Sequence, residues 1–178
     1  GYYYHTEIFK ENGKLYIDGY QGVFIDSIAQ CVDQLLLFMH EGPNTGPLPD
    51  YQLVSNNISW INLSKKQAAW KRFFFSWTLL RKFQDEIKSV DAMLVRSPSP
   101  LSKAFSHFVN REKLFYFLVG DYLHGANNIK ISGFRDFFVK LLVKQIDKAL
   151  TTVIKNRIIF VNSNELKSKY STIASKII

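Results

Sequence analysis

The feature that most constrains this fold is a run of six consecutive apolar residues, 114–119, that ends at Gly120. A short, unbroken run with aromatic and branched side chains predicts a strand that is buried on both faces of a sheet. Asp121, Tyr122 and His124 follow directly after the glycine. Ligands of parallel sheets bind in the crevice beyond the carboxyl ends of the strands. The stretch therefore predicts a central strand with polar chemistry at the point where it ends.

Strand-like and helix-like segments alternate along the rest of the chain. Asn12 and Gly13 lie between two short apolar arms and predict a β-hairpin, because both positions of such a turn need positive φ. The alternation predicts an α/β, Rossmann-like fold over residues 1–178 as one domain, with a mostly parallel sheet, helices on both faces and an N-terminal hairpin. Further strands are predicted at residues 34–40, 51–54, 58–63, 91–95 and 157–161, and helices at residues 24–33, 64–90, 101–109, 134–154 and 165–170.

Polar side chains follow three of the predicted strands. Arg96 can bind a phosphate or carboxylate through its guanidinium fork, and Ser163 precedes a helix whose first amides suit an anion. Asp121 can accept hydrogen bonds from sugar hydroxyls or act as a base, and His124 can carry a proton near neutral pH. In a doubly wound sheet these residues lie along one edge, where the loop of residues 42–49 is a fourth neighbour.

Each of these residues also has a purely structural interpretation. Asp121 can cap a turn, His124 can be an ordinary loop histidine, and Ser163 can be the N-cap of the last helix, which is the favoured role for that serine. Gly19 and Gly22 stand ahead of a predicted helix, as in a phosphate-binding loop, but no dinucleotide fingerprint accompanies them. The P-loop, nucleophile-elbow, zinc-protease and Cys-x-x-Cys motifs are missing from the sequence.

The charge balance predicts an anionic partner. The net charge is +8, from 23 basic and 15 acidic residues, which suits a phosphorylated ligand, an anionic membrane surface or nucleic acid. A basic surface that only keeps the domain in solution is the alternative. Cys31 is the only cysteine, which excludes an intrachain disulfide or a thiolate metal cluster and fits a reducing compartment. No apolar run approaches the roughly 20 residues that a membrane-spanning helix needs.

Aromatic and basic side chains are mixed within the predicted helix of residues 64–90. Trp70, Phe73, Phe74 and Trp77 recur at helical spacing, and lysines and arginines stand between them. Packing of these aromatic side chains against the sheet is the favoured interpretation, because wide apolar arcs usually belong to the core. Docking on an anionic membrane through the same side chains is the alternative.

Four segments resemble, in order, the N-terminal, acceptor-side domain of GT-B glycosyltransferases, particularly the retaining enzymes of family 4. The first is the hairpin that opens with Ile8 and leads into a glycine-bearing loop. The second is Asp-Ala-Met-Leu-Val-Arg-Ser-Pro-Ser-Pro from Asp91, and the third is the strand that finishes in Val-Gly-Asp-Tyr at Tyr122. The last is Ile-Phe-Val-Asn-Ser-Asn-Glu-Leu-Lys from Ile159. Together these segments span nearly the whole chain.

The resemblance implies the acceptor-binding half of an enzyme that moves a sugar from a nucleotide-sugar donor to a glycan or lipid-linked acceptor. It implies Asp121 and His124 as catalytic residues. It implies substrate-binding residues at Gly19, Gly22, Arg96, Tyr122 and Ser163. The nucleotide-sugar is a substrate, so neither a cofactor nor a metal is expected.

The resemblance also implies a C-terminal donor domain that this chain lacks, so the chain alone is expected to be inactive. A cytoplasmic location is expected, with peripheral attachment to the inner face of a membrane. The alternative is a non-catalytic Rossmann-like module that binds an anionic carbohydrate or a protein partner. Nucleic acid is not expected as a partner, because the aromatic residues lie in apolar runs rather than on a recognisable exposed platform.

Overall fold

The strands of this protein are mostly parallel, in a mixed α/β, Rossmann-like fold, as the alternation of segments predicts. The computed structural model describes residues 1–43, 47–127 and 133–178. The chain divides into two compact units, Gly1–Gln67 and Ala68–Ile178, and each unit is described by itself below. The middle of the predicted loop of residues 42–49 lies outside the described residues.

The first unit contains five strands and one helix in its described residues. Their bounds are β1 Tyr2–Glu11, β2 Lys14–Ile17, α1 Gly19–Ala29, β3 Leu35–Glu41, β4 Tyr51–Gln52 and β5 Ile58–Lys65. β3 is parallel to β5 and to the start of β1, whereas the end of β1 turns at Asn12 and Gly13 and pairs antiparallel with β2. The predicted hairpin is thereby confirmed, and both of its turn residues have positive φ.

The predicted helix of residues 24–33 is displaced. α1 begins at Gly19, so Gly19 and Gly22 belong to the helix and not to a loop ahead of it. The Gly19 amide donates to Asp50 Oδ1 at 2.8 Å, which gives the first turn a hydrogen-bond acceptor from outside the helix. A Cβ at Gly22 would overlap the Tyr51 ring, so this glycine lets α1 pack closely on β4. The spacing of the apolar residues did not predict that the helix begins at Gly19, five residues before the predicted start.

The second unit contains seven α-helices and four strands in its described residues, with a short 3₁₀ turn at Arg111–Lys113. Their bounds are α2 Ala69–Phe74, α3 Ser76–Arg81, α4 Gln84–Ser89, β6 Met93–Ser97, α5 Ser102–Phe105, β7 Leu114–Leu118, α6 Tyr122–Asn127, α7 Phe134–Ile154, β8 Ile158–Val161, α8 Asn164–Tyr170 and β9 Lys176–Ile177.

The strands β6, β7, β8 and β9 are neighbours in that order, and each pairing is parallel. β7 is therefore an interior strand of this sheet, as the apolar run predicts. Its two faces differ: Leu114, Tyr116 and Leu118 are buried, whereas Phe115 and Phe117 are half-buried. The prediction of burial on both faces is therefore correct for the face of Leu114, Tyr116 and Leu118, whereas the face of Phe115 and Phe117 is only half-buried.

The predicted helix of residues 64–90 is wrong. Ser64 is a strand residue with positive φ, and the rest of the segment forms the three short helices α2, α3 and α4. The helical geometry breaks at Phe75 and again at Phe83. At the first break the Ser76 hydroxyl donates to the Phe73 carbonyl at 2.9 Å, a local bond that competes with the helical ladder.

Other boundaries differ less. The strand predicted at residues 91–95 begins and ends two residues later, so Arg96 lies inside β6. The helix predicted at residues 101–109 is limited to α5. α7 has the predicted bounds, and α8 begins one residue before its predicted start. α6 and β9 were not predicted.

Candidate functional site

The carboxyl ends of three parallel strands in the second unit meet at one edge of its sheet. The Val119 amide, just after β7, donates to the Ser97 carbonyl at the end of β6. The Asn162 amide, just after β8, donates to the Leu118 carbonyl at the end of β7. These bonds bring the predicted strand exits side by side, so the polar residues that follow them share one edge.

Asp121 is held firmly at this edge. Its Oδ1 accepts from the amides of Leu123 and His124 at 2.9 and 3.2 Å, which caps the start of α6. The same oxygen accepts from Lys169 Nζ, in α8, at 2.9 Å. Within the described residues, Oδ2 makes no hydrogen bond. One carboxylate oxygen is therefore fixed by the protein, and the other has capacity to accept.

Lys169 also binds Asp147 Oδ1, in α7, at 3.1 Å. Partial burial alone would raise the pKa of Asp121, but the hydrogen bonds from Lys169 and the two amides outweigh burial and hold that pKa below its ordinary value of 3.8. Burial alone would lower the pKa of Lys169, whereas the Asp121 hydrogen bond and the charges around it raise that pKa. Asp121 and Lys169 are thus an ion pair at neutral pH, and with Asp147 they form the Asp121–Lys169–Asp147 cluster.

Arg96 is buried, with 4% of its surface exposed. Its guanidinium carbon lies 5.7 Å from the centre of the Phe117 ring on the adjacent strand, a cation–π contact. Arg96 therefore places a positive charge inside the protein, close to the carboxyl end of β6. Its predicted role as a phosphate-binding fork stays a prediction.

Tyr122 and His124 lie in α6, which starts immediately after Asp121. Tyr122 is half-buried and His124 is exposed, so the imidazole meets solvent. The predicted loop histidine is therefore a helix residue, because Asp121 caps a helix that the sequence did not reveal. Ser163 is the N-cap of α8, and its Oγ accepts from the Leu166 amide at 3.3 Å, the structural role that was favoured for it.

Gly19 and Gly22 belong to the first unit and are described with it. The space beside Gly22 is filled by the Tyr51 ring. The Tyr51 hydroxyl donates to Asp26 Oδ2 at 2.9 Å, and the amides of Val54 and Ser55 donate to the same buried carboxylate. Gly22 therefore has a structural role, because it leaves room for the Tyr51 ring that binds Asp26. Contact with donor phosphates stays a prediction.

The aromatic side chains of α2 and α3 are largely exposed. Trp70, Phe74, Phe75 and Trp77 expose between 48% and 69% of their surface. The prediction that these aromatic residues pack into the core is therefore wrong for Trp70, Phe74 and Trp77. Lysine and arginine side chains lie over the two indole rings, and no acidic residue occurs between Ser64 and Gln84. We call residues 69–81 the aromatic–basic segment.

No helix in residues 1–43, 47–127 and 133–178 is both long and apolar enough to cross a membrane. In the same ranges, no group of three or more His, Cys, Asp or Glu side chains is arranged to hold a metal ion.

Sequence reasoning missed Lys169 and Asp147 as partners of Asp121. The three residues come from the start of α6, from α7 and from α8, so no short spacing connects them. One weak signal exists for Asp147: it is an acidic residue directly beside the buried stripe of α7 that includes Ile146 and Leu150, and 14% of its side chain is exposed. A carboxylate in that position needs a cation close by.

Comparison with protein-family models, with curated proteins and with solved structures finds no match to this chain.

Proposed function

We propose that this chain is the acceptor-binding half of a glycosyltransferase of the GT-B type, and that the carboxyl edge of the second unit holds the acceptor. The enzyme would transfer a sugar from a nucleotide-sugar donor to a glycan or lipid-linked acceptor. The observation that carries the proposal is Asp121. Its Oδ1 is fixed by three donors, its Oδ2 makes no hydrogen bond in the described residues, and its pKa is held low. An ionised, rigid carboxylate with one available oxygen suits a sugar hydroxyl.

The roles of the neighbouring residues follow from their positions. His124, one helical turn from the cap and exposed to solvent, is the group proposed to take the proton from the acceptor hydroxyl. Asp121 binds that hydroxyl and also fixes the backbone of His124 through its amide. Tyr122 lies beside both and contributes ring surface for a sugar. Arg96 supplies a buried positive charge that favours an acidic or phosphorylated acceptor.

Binding of saccharides to exposed-histidine variants tests this arrangement. Affinities of neutral, acidic and lipid-linked oligosaccharides for the chain are measured by calorimetry. We expect His124→Ala to weaken binding by about tenfold, the size of one lost hydrogen bond in a binding site. His107→Ala is the matched control, because His107 is also exposed but lies in the turn after α5. Equal affinities for the two variants, or no saccharide binding at all, would contradict the proposal.

The proposal includes an anionic membrane surface as partner of the aromatic–basic segment. Its exposed indole and phenyl rings suit the interfacial region of a bilayer, and its uninterrupted basic charge suits anionic headgroups. Co-sedimentation with vesicles tests this. We expect binding to vesicles that contain anionic lipid, little binding to neutral phosphatidylcholine vesicles, and loss of binding in Trp70→Ala/Phe74→Ala.

The control for the membrane test is Tyr20→Ala, which removes an equally exposed aromatic ring in the first unit. If both variants sediment with anionic vesicles as the parent chain does, the segment is not a membrane-docking surface. The acceptor proposal is independent of that result, because the calorimetry uses no membrane.

A non-catalytic module that binds an anionic carbohydrate or a protein partner is the second candidate. The lowered pKa of Asp121 favours it over the catalytic role that the resemblance implies for this residue, because a carboxylate with this pKa binds hydroxyls well but accepts protons poorly. The two candidates differ in turnover. If the longest natural protein that contains this chain releases nucleoside diphosphate from a nucleotide-sugar in the presence of the bound saccharide, the enzyme is supported. If it binds the saccharide without turnover, the module is supported.

A further inference from the structure

The second unit has a pocket of about 360 Å³ whose lining is rich in cations. Arg111 lies before β7, Arg157 lies immediately before β8, and Lys155 follows the last turn of α7. The pocket therefore lies at the amino ends of these strands, at the opposite edge of the sheet from Asp121. Its other lining residues are Ser106, Thr152, Val153 and Asn156, none of which is acidic.

The two arginines are held in place by the backbone. Arg111 Nη2 donates to the Asn156 carbonyl at 2.9 Å, and Arg157 Nη1 donates to the Arg111 carbonyl at 3.1 Å. Each bond uses a single N–H of a guanidinium that has five. Four N–H donors of each guanidinium are therefore left for a ligand.

The loop that carries the cations is itself fixed. The Asn156 amide donates to the Ile173 carbonyl at 3.0 Å, and the Arg157 carbonyl accepts from the Ser175 amide at 2.9 Å. Asn156 has positive φ, a backbone conformation that is uncommon outside glycine and that these bonds maintain. The geometry of the pocket is thus set by the fold and does not depend on a ligand.

None of the three cations pairs with a carboxylate within the described part of the chain, although many basic residues of globular proteins have such partners. Three like charges in one pocket repel one another, and a multivalent anion removes that repulsion. Guanidinium groups bind phosphate through two parallel N–H bonds, and the ammonium of a lysine adds a point charge. The hydroxyl groups of Ser106 and Thr152 also line the pocket, but they already donate to the carbonyls of Lys103 and Lys148, so the donors to an anion are the three cations.

From this arrangement we infer that the pocket binds a small molecule that carries two or more phosphate groups. The volume lies within the range of small-molecule sites and can hold a diphosphate with a modest organic group. This site is separate from the proposed acceptor site, and its existence does not depend on the proposed function.

Calorimetry with inorganic pyrophosphate as the probe tests the inference. We expect saturable binding with one site per chain, and weaker binding of sulfate and of monophosphate. Lys155→Gln should weaken pyrophosphate binding by about three- to tenfold, because it removes one charge from the pocket. The Lys155 side chain makes no hydrogen bond in the described residues, so the variant should fold normally. Arg157→Gln should weaken binding further, and its melting temperature is measured to confirm that it is folded.

Lys144→Gln is the matched control. Lys144 is an exposed lysine of α7, eleven residues before Lys155, and it does not line the pocket. Equal loss of affinity in both lysine variants means that only the general positive charge attracts the probe, which overturns the inference. It is also overturned if pyrophosphate does not bind, or if the Lys155-dependent site prefers a short RNA over pyrophosphate.

Discussion

The two edges of the sheet in the second unit differ in how their charged side chains are paired. At the carboxyl edge, Asp121, Lys169 and Asp147 satisfy one another within 3.1 Å. At the amino edge, Arg111 and Arg157 are anchored only through backbone carbonyls, and neither has a carboxylate partner in the part of the chain that is described. Charges that pair internally build the fold and position a few remaining atoms. Charges that gather without carboxylate partners are available to bind an anion.

The largest effect should appear when the shared cation of the carboxyl edge is removed. Lys169→Met leaves two partly buried carboxylates without their shared cation, and we expect a loss of about 2 kcal/mol in the free energy of unfolding. Lys167→Met, an exposed lysine in the same helix, should change it by less than about 0.5 kcal/mol. Urea denaturation measures both. Equal losses would show that the Asp121–Lys169–Asp147 cluster does not stabilise α8.

A smaller effect is expected from pH. The pKa of Asp121 in the folded chain lies below its ordinary value of 3.8, so its stabilising contribution is complete above 3.8 and is lost as the pH falls through the lowered value. We expect the parent chain to lose about 1 kcal/mol more than Asp121→Asn between about pH 5 and pH 2. Asp26 also has a lowered pKa, but it is present in both chains and cancels in the comparison.

Urea denaturation across this pH range provides the measurement. Parallel curves for the parent chain and Asp121→Asn would mean that Lys169 does not favour the ionised carboxylate. That outcome would also remove the basis for treating Asp121 as a fixed acceptor of sugar hydroxyls.

The smallest effect is expected at the amino edge. Lys155→Gln removes a charge that repels its neighbours and breaks no hydrogen bond in the described residues. We expect a gain in the free energy of unfolding of about 0.3 kcal/mol at low ionic strength, which disappears in about 0.5 M NaCl through screening. Thermal denaturation at the two salt concentrations measures this. A clear loss of stability would mean that Lys155 has a structural partner, and the contrast between the two edges would weaken.

Local patterns predicted the parts of this fold that local physics controls. The Asn12-Gly13 turn, the apolar strand β7 and the amphipathic helix α7 each carry their signal within one segment, and each is present. The helix of residues 64–90 failed because aromatic periodicity does not report the Ser76 hydroxyl bond or the breaks at Phe75 and Phe83.

The candidate site was only partly predictable for the same reason. The order of polar residues after the strands predicted that Asp121 and Ser163 follow neighbouring strand ends, because parallel strands end at one edge. The partners of Asp121 are contributed by two helices that follow much later in the chain, and no spacing in the sequence encodes that contact. The basic pocket could not be predicted for the same reason, since Arg111 and Arg157 come together only when β7 and β8 pair.

The most direct test of the account is an amide-resolved NMR titration of the labelled chain with the saccharide that binds it best. The amides of Leu123 and His124 donate to the Asp121 carboxylate, so they should shift when a sugar hydroxyl engages that group. The amides of Asn156 and Arg157, at the other edge, should not shift. Saturable changes at Leu123 and His124 alone would support an acceptor site at the carboxyl edge. Changes confined to Asn156 and Arg157, or no changes at saturating saccharide, would contradict it.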